Sequence, residues 1–84
     1  MEVTDVEVRR ILTEDLGRDL TGIGPGDSLL EAGILDSLAV LELVAAIEQR
    51  YGIRVADDEM MPETLGSIAA IQSLLARRQV TPGA

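Results

Sequence analysis

Few side chains in this sequence could do chemistry, and Ser37 stands out among them. It lies between Asp36 and Leu38, after the segment Glu31-Ala32-Gly33-Ile34-Leu35 and before a strongly helical run. A serine at such a place has its hydroxyl in solvent at the positive end of a helix, where a phosphate ester is electrostatically favoured. Nucleophilic catalysis fits poorly, because a catalytic hydroxyl must lose its proton to a neighbouring base. The 84 residues include no histidine and no cysteine, and all seven basic residues are arginine. Asp36 offers only a carboxylate, a feeble base toward a serine hydroxyl. Asp57 and Asp58 could in principle hold a hard cation, but their surroundings lack the glycine and terminal glutamate of a calcium loop. They read instead as the solvated start of a short helix. Any chemistry at Ser37 must therefore be imported, which makes the serine an attachment point. Local sequence leaves a second reading open, in which Ser37 only caps the helix.

The elements that position this serine follow from pattern and punctuation. Thr4 is a good N-cap for a first helix, Glu7 three residues later fits a capping box, and Val3 can staple onto Val8. Val8, Ile11, Leu12 and Leu16 mark one face at helical spacing, and Gly17 is a C-terminal stop. Residues 17–36 form a long connection punctuated by five glycines and Pro25. Connections of that length are uncommon in compact domains and are often functional. Leu20, Ile23, Leu29, Leu30, Ile34 and Leu35 can pin it to the core, with one helical turn possible over Asp27 to Ala32.

The second helix is expected from Ser37 to Tyr51, ending at Gly52. Val40, Leu43, Val44, Ile47 and Tyr51 follow the helical repeat and face the core. Leu38, Leu41 and Ala45 lie on another face among Glu42, Glu48 and Gln49. That acid-edged strip is either a docking surface or a second buried face of a small bundle. Ile53-Arg54-Val55 is a short extended link. Asp57 to Met61 is expected to form a brief helix stopped by Pro62. A last helix begins near Gly66 or Ser67 and turns Ile68, Ile71, Leu74 and Leu75 inward, with Arg77 and Arg78 in its final turn. Residues 1–78 then make one domain, and 79–84 a frayed tail.

Composition narrows the function classes. The chain is 46% hydrophobic but 1% aromatic, so its core is aliphatic, with Tyr51 the single ring. The absence of cysteine fits a reducing compartment, the cytoplasm. Fifteen acids against seven arginines give a net charge of −8. Such a surface repels nucleic acid and suits either a partner with a basic patch or solubility alone. The acidic start of the chain does not resemble a signal peptide, and no apolar run is long enough for membrane insertion.

The stretch Gly33-Ile34-Leu35-Asp36-Ser37-Leu38, followed by Val40, Glu42, Leu43 and Val44, resembles the phosphopantetheine attachment region of acyl and peptidyl carrier proteins. The resemblance extends from about Val6 to Leu75. It takes in the long first loop, Tyr51-Gly52-Ile53 and the short acidic helix. It implies an all-α four-helix bundle of the acyl-carrier-protein type, with three main helices and a short third one. It also implies 4′-phosphopantetheine joined to Ser37 through a phosphodiester, bearing an acyl or aminoacyl group as a thioester. Such a carrier is not itself an enzyme. It works with a phosphopantetheinyl transferase, an adenylating enzyme or acyltransferase that loads it, and a downstream synthase or transferase. The family's docking face maps to Asp36, Leu38, Ala39, Leu41, Glu42, Ala45 and Glu48.

Three details refine the resemblance. Asp27-Ser28-Leu29 echoes the attachment triplet, but too short a run precedes the next glycine for a full helix, so Ser28 is read as a turn or cap residue. Two residues, Ile34 and Leu35, separate the glycine from Asp36, where many fatty-acid carriers have one. That spacing, with Asp58-Glu59-Met60-Met61-Pro62-Glu63-Thr64, resembles D-alanyl carriers and stand-alone carriers of polyketide or nonribosomal peptide pathways. The expectation is a monomeric, free-standing carrier of secondary metabolism. The alternatives are a D-alanyl-type carrier for cell-envelope modification and a helical interaction module.

Overall fold

A computed structural model describes residues 4–78, apart from the side chains of Pro62 and Glu63. Among them the chain is helical, with no strand. The first helix, α1, runs Asp5–Arg10 and continues as a wider, π-type turn over Ile11–Asp15. Thr4 caps it as expected, its hydroxyl accepting the Glu7 N–H at 3.4 Å. The widening shows in the backbone: Leu16 N–H donates to the Ile11 carbonyl at 3.2 Å, and Arg18 N–H to that of Leu12 at 2.9 Å. Gly17, at φ 68°, then turns the chain away in the left-handed region.

The second helix, α2, spans Ser37–Tyr51 and ends at Gly52, also left-handed at φ 68°. A 3-10 turn occupies Asp57–Glu59, and the short third helix, α3, is Pro62–Leu65. The expected brief helix at 57–61 is thus displaced. Pro62 opens a helix rather than only stopping one, because its fixed φ suits the first helical position and its missing N–H is not needed there. The last helix, α4, runs Ile68–Arg77, and Ser67 caps it by accepting the Ala70 N–H at 3.1 Å. The expected staple from Val3 and the tail at 79–84 lie outside the described residues.

Among the described residues seventeen aliphatic side chains form one core, drawn from α1 and its π-type turn, the long loop, α2, Val55 of the link that follows, Leu65 of α3 and α4. Val8, Ile11, Leu12, Leu43, Ile47, Ile68, Ile71, Leu74 and Leu75 are fully buried within it. Tyr51 packs at its edge and donates its hydroxyl proton to Glu7 at 2.8 Å, joining the end of α2 to α1. Arg50 repeats that link from outside with a 3.0 Å ion pair to Asp15.

Candidate functional site

The position of Ser37 is set by the loop before it. Gly33 at φ 76° reverses the chain after a turn in which Ala32 N–H donates to the Ser28 carbonyl at 3.0 Å. Ile34 and Leu35 both donate backbone N–H bonds to the Leu29 carbonyl, at 2.9 and 3.0 Å, and both side chains are buried. The two-residue spacer therefore has a structural purpose: each residue is an anchor. Two longer-range bonds hold the loop to the α3–α4 junction, from Leu29 N–H to the Gly66 carbonyl (2.8 Å) and from Ala69 N–H to the Pro25 carbonyl (2.9 Å).

Asp36 follows in extended conformation, and its Oδ1 accepts the Ala39 N–H at 2.8 Å. The cap of α2 is therefore Asp36, which relieves Ser37 of that task. Ser37 is the first helical residue, exposed, and its hydroxyl makes no hydrogen bond among the described residues. It stands beside backbone amides that have no intrahelical acceptor. Ser28, by contrast, uses its hydroxyl to accept the Glu31 N–H at 3.2 Å, as a turn residue does.

Leu38 (67% exposed), Leu41 (57%), Glu42 and Ala45 form an exposed strip on α2. Ala39 does not belong to it. Its side chain is fully buried, because it lies on the same helical face as Leu43. Glu48 is half-buried, and its Oε2 accepts the Val55 N–H at 2.8 Å, which ties the link after α2 to the helix.

Ser37 also stands at the mouth of a cleft of about 330 Å³ between α2, the loop and α3. Buried Leu35 and Leu65 line it together with Val40, Met60, Gly66 and the exposed Leu30, Leu41 and Met61, so among the described residues Ser37 is its one hydroxyl-bearing or charged lining residue. This second apolar surface was not legible as a site, since leucines of a loop are equally needed as core. A larger groove, about 590 Å³, lies along the other side of α2 between Glu42, Ala45, Ala46, Gln49, Arg50 and Asp15. Its charged lining residues are Glu42 and the Arg50–Asp15 ion pair. Among the described residues no acidic cluster could hold a metal ion, and no helix is long and apolar enough to cross a membrane.

A small helical bundle that presents an unbonded serine at a helix start is the architecture of a carrier domain. The family model for the phosphopantetheine attachment site matches residues 6–72, so the chain belongs to that family. It is similar to the acyl carrier protein MbtL of Mycobacterium bovis (strain ATCC BAA-935 / AF2122/97), with 36% identity over 61 residues, or 71% of this chain and 73% of that protein. No solved structure matches it. Membership brings with it covalently attached 4′-phosphopantetheine. The residues present fit that group, because a free hydroxyl, a helix N-terminus and an apolar cleft meet at one point.

Proposed function

We propose that Ser37 carries the 4′-phosphopantetheine and that the protein passes acyl groups between enzymes of polyketide or nonribosomal peptide secondary metabolism. The observation that carries this reading is the division of labour at the start of α2: Asp36 makes the cap, and the Ser37 hydroxyl stays exposed and unbonded. A phosphodiester at Ser37 lies against the positive end of a 15-residue helix, a contribution of about 0.3–1 kcal/mol at an exposed site. When bound, the group supplies a terminal thiol for thioester formation. The chain's own part is to hold the attachment oxygen in solvent and to offer an address.

The experiment is incubation with coenzyme A and a broad-specificity phosphopantetheinyl transferase, read by intact mass. One phosphopantetheine is gained by the protein and by Ser28→Ala, and none by Ser37→Ala. No gain by the unaltered protein, or gain by Ser37→Ala, overturns the reading.

The cleft favours an acyl over an aminoacyl cargo. Among the described residues its lining offers no carboxylate to an ammonium group, so a D-alanyl cargo would enter it without a partner there. Octanoyl-loaded protein is expected to melt above the unloaded holo form, and D-alanyl-loaded protein at the same temperature as that form. Equal melting of all three removes the support the cleft gives.

A further inference from the structure

Among the described residues sulfur occurs in one place. The chain has no cysteine, and its three methionines are Met1, Met60 and Met61. The last two are adjacent, lie between the 3-10 turn and α3, and both line the cleft that holds Ser37. Met60 is partly buried and packs against the core, whereas Met61 is 48% exposed. Histidine and tryptophan are absent as well, and Tyr51 is half-buried and bonded to Glu7. Met61 is therefore the side chain that a mild oxidant meets first among the described residues.

The backbone and the side chain of Met61 have separate tasks. Its carbonyl accepts the Thr64 and Leu65 N–H groups, both at 2.9 Å, and so starts α3. Its thioether joins the exposed Leu30 and Leu41 in the lining of the cleft. A methionine thioether is apolar and polarisable, whereas its sulfoxide is polar and a hydrogen-bond acceptor. Since the carbonyl holds α3, oxidation at sulfur changes the lining without removing a bond of the fold.

We infer that Met61 is a reversible oxidation site that switches off the shelter the cleft gives an acyl chain. The inference rests on the cleft receiving an acyl cargo. The oxidant is a peroxide: the sulfur lone pair takes one oxygen as the O–O bond breaks, and water leaves. The thioether is oxidised by two electrons and the peroxide is reduced. A methionine sulfoxide reductase reverses the step, taking two electrons from a dithiol, which becomes a disulfide, and returning the oxygen as water. In the oxidised cleft the S=O group faces aliphatic neighbours. Covering it with an acyl chain leaves a polar group without a partner, a cost the thioether does not carry. The chain is therefore released to solvent while its thioester stays intact.

The melting increment of octanoyl-loaded over acetyl-loaded protein decides the matter, because both forms have the arm's thiol capped and only the longer chain can fill the cleft. Brief treatment with hydrogen peroxide is expected to place oxygen on Met61 before Met60. Fragmentation of the tryptic segment 55–77, which excludes Met1, reads that order. Oxidation abolishes the increment, and methionine sulfoxide reductases with thioredoxin restore it. Met61→Leu keeps the increment through the same treatment, and untreated Met61→Gln lacks it; if the glutamine variant does not fold, the leucine variant decides alone. By linkage, octanoyl-loaded protein takes up oxygen at Met61 about fivefold more slowly than acetyl-loaded protein. Oxygen on Met60 first, an increment that survives oxidation of Met61, or an equal loss in Met61→Leu overturns the switch and leaves the shelter standing. Collapse of the acetyl-loaded form on oxidation also overturns it, since the fold itself is then the target. No increment in the untreated protein is the failure of the shelter, and the switch falls with it.

Discussion

Two adjacent residues, Asp36 and Ser37, differ in what they do at the start of α2: the first caps the helix and the second leaves its hydroxyl exposed. The carboxylate of Asp36 takes the free amide of Ala39, the third residue of α2, so its loss is felt in stability. Asp36→Ala is expected to cost about 1 kcal/mol, a fall of about 4–8 °C in melting temperature for a domain of this size. Asp36→Asn retains most of that. A calorimetric scan of the three proteins measures both. Sequence reasoning reached Ser37 because helix start, loop and missing bases are all local information. It could not tell which of Asp36 and Ser37 caps α2, since Asp and Ser cap equally well. Ala39 was beyond it too: a small residue fits a docking strip or a tight core, and only the packing decides.

Tyr51 carries a second prediction at this scale. Burial, and then its bond to Glu7, push the phenol above its ordinary value of 10.0. The folded state therefore keeps a proton that the unfolded chain releases. The stabilisation is complete below about pH 10 and declines as the pH rises past it. Urea unfolding followed from pH 8 to 11 is expected to show this alkaline decline, and Tyr51→Phe to lose it.

Among the elements, the long loop does most to aim the site. Gly33 occupies φ 76° with open space where a Cβ would sit, so a side chain there costs backbone strain without a clash. Gly33→Ala is expected to lose about 1–2 kcal/mol and to broaden the amide resonances of Ile34 and Leu35 as their anchoring weakens. The helices with clear caps, α2 and α4, were readable in advance because Asp36, Gly52 and Ser67 act on their own neighbours. The widened end of α1 and the displaced α3 were not. Both depend on how a segment meets distant parts of the chain, and Pro62 permits a stop or a start.

At the scale of the whole molecule, a core of aliphatic side chains in so short a chain leaves little reserve. Leu43 is fully buried at the centre of α2, and Leu43→Ala is expected to cost about 2–5 kcal/mol. Small domains have about 5–15 kcal/mol in total. The variant should therefore melt at least 8 °C lower, on the order set by the entropy of unfolding, and its far-ultraviolet dichroism reports the change.

The two bonds that fasten the loop to the α3–α4 junction, Leu29 to Gly66 and Pro25 to Ala69, run from backbone to backbone. Backbone clasps are indifferent to what the outward side chains are. Leu30 and Glu31 can be exchanged for residues of other size or sign while the clasp stays closed. A lineage could thus drift from one set of client enzymes to another by surface substitutions alone, with the scaffold that holds the serine passed on unaltered.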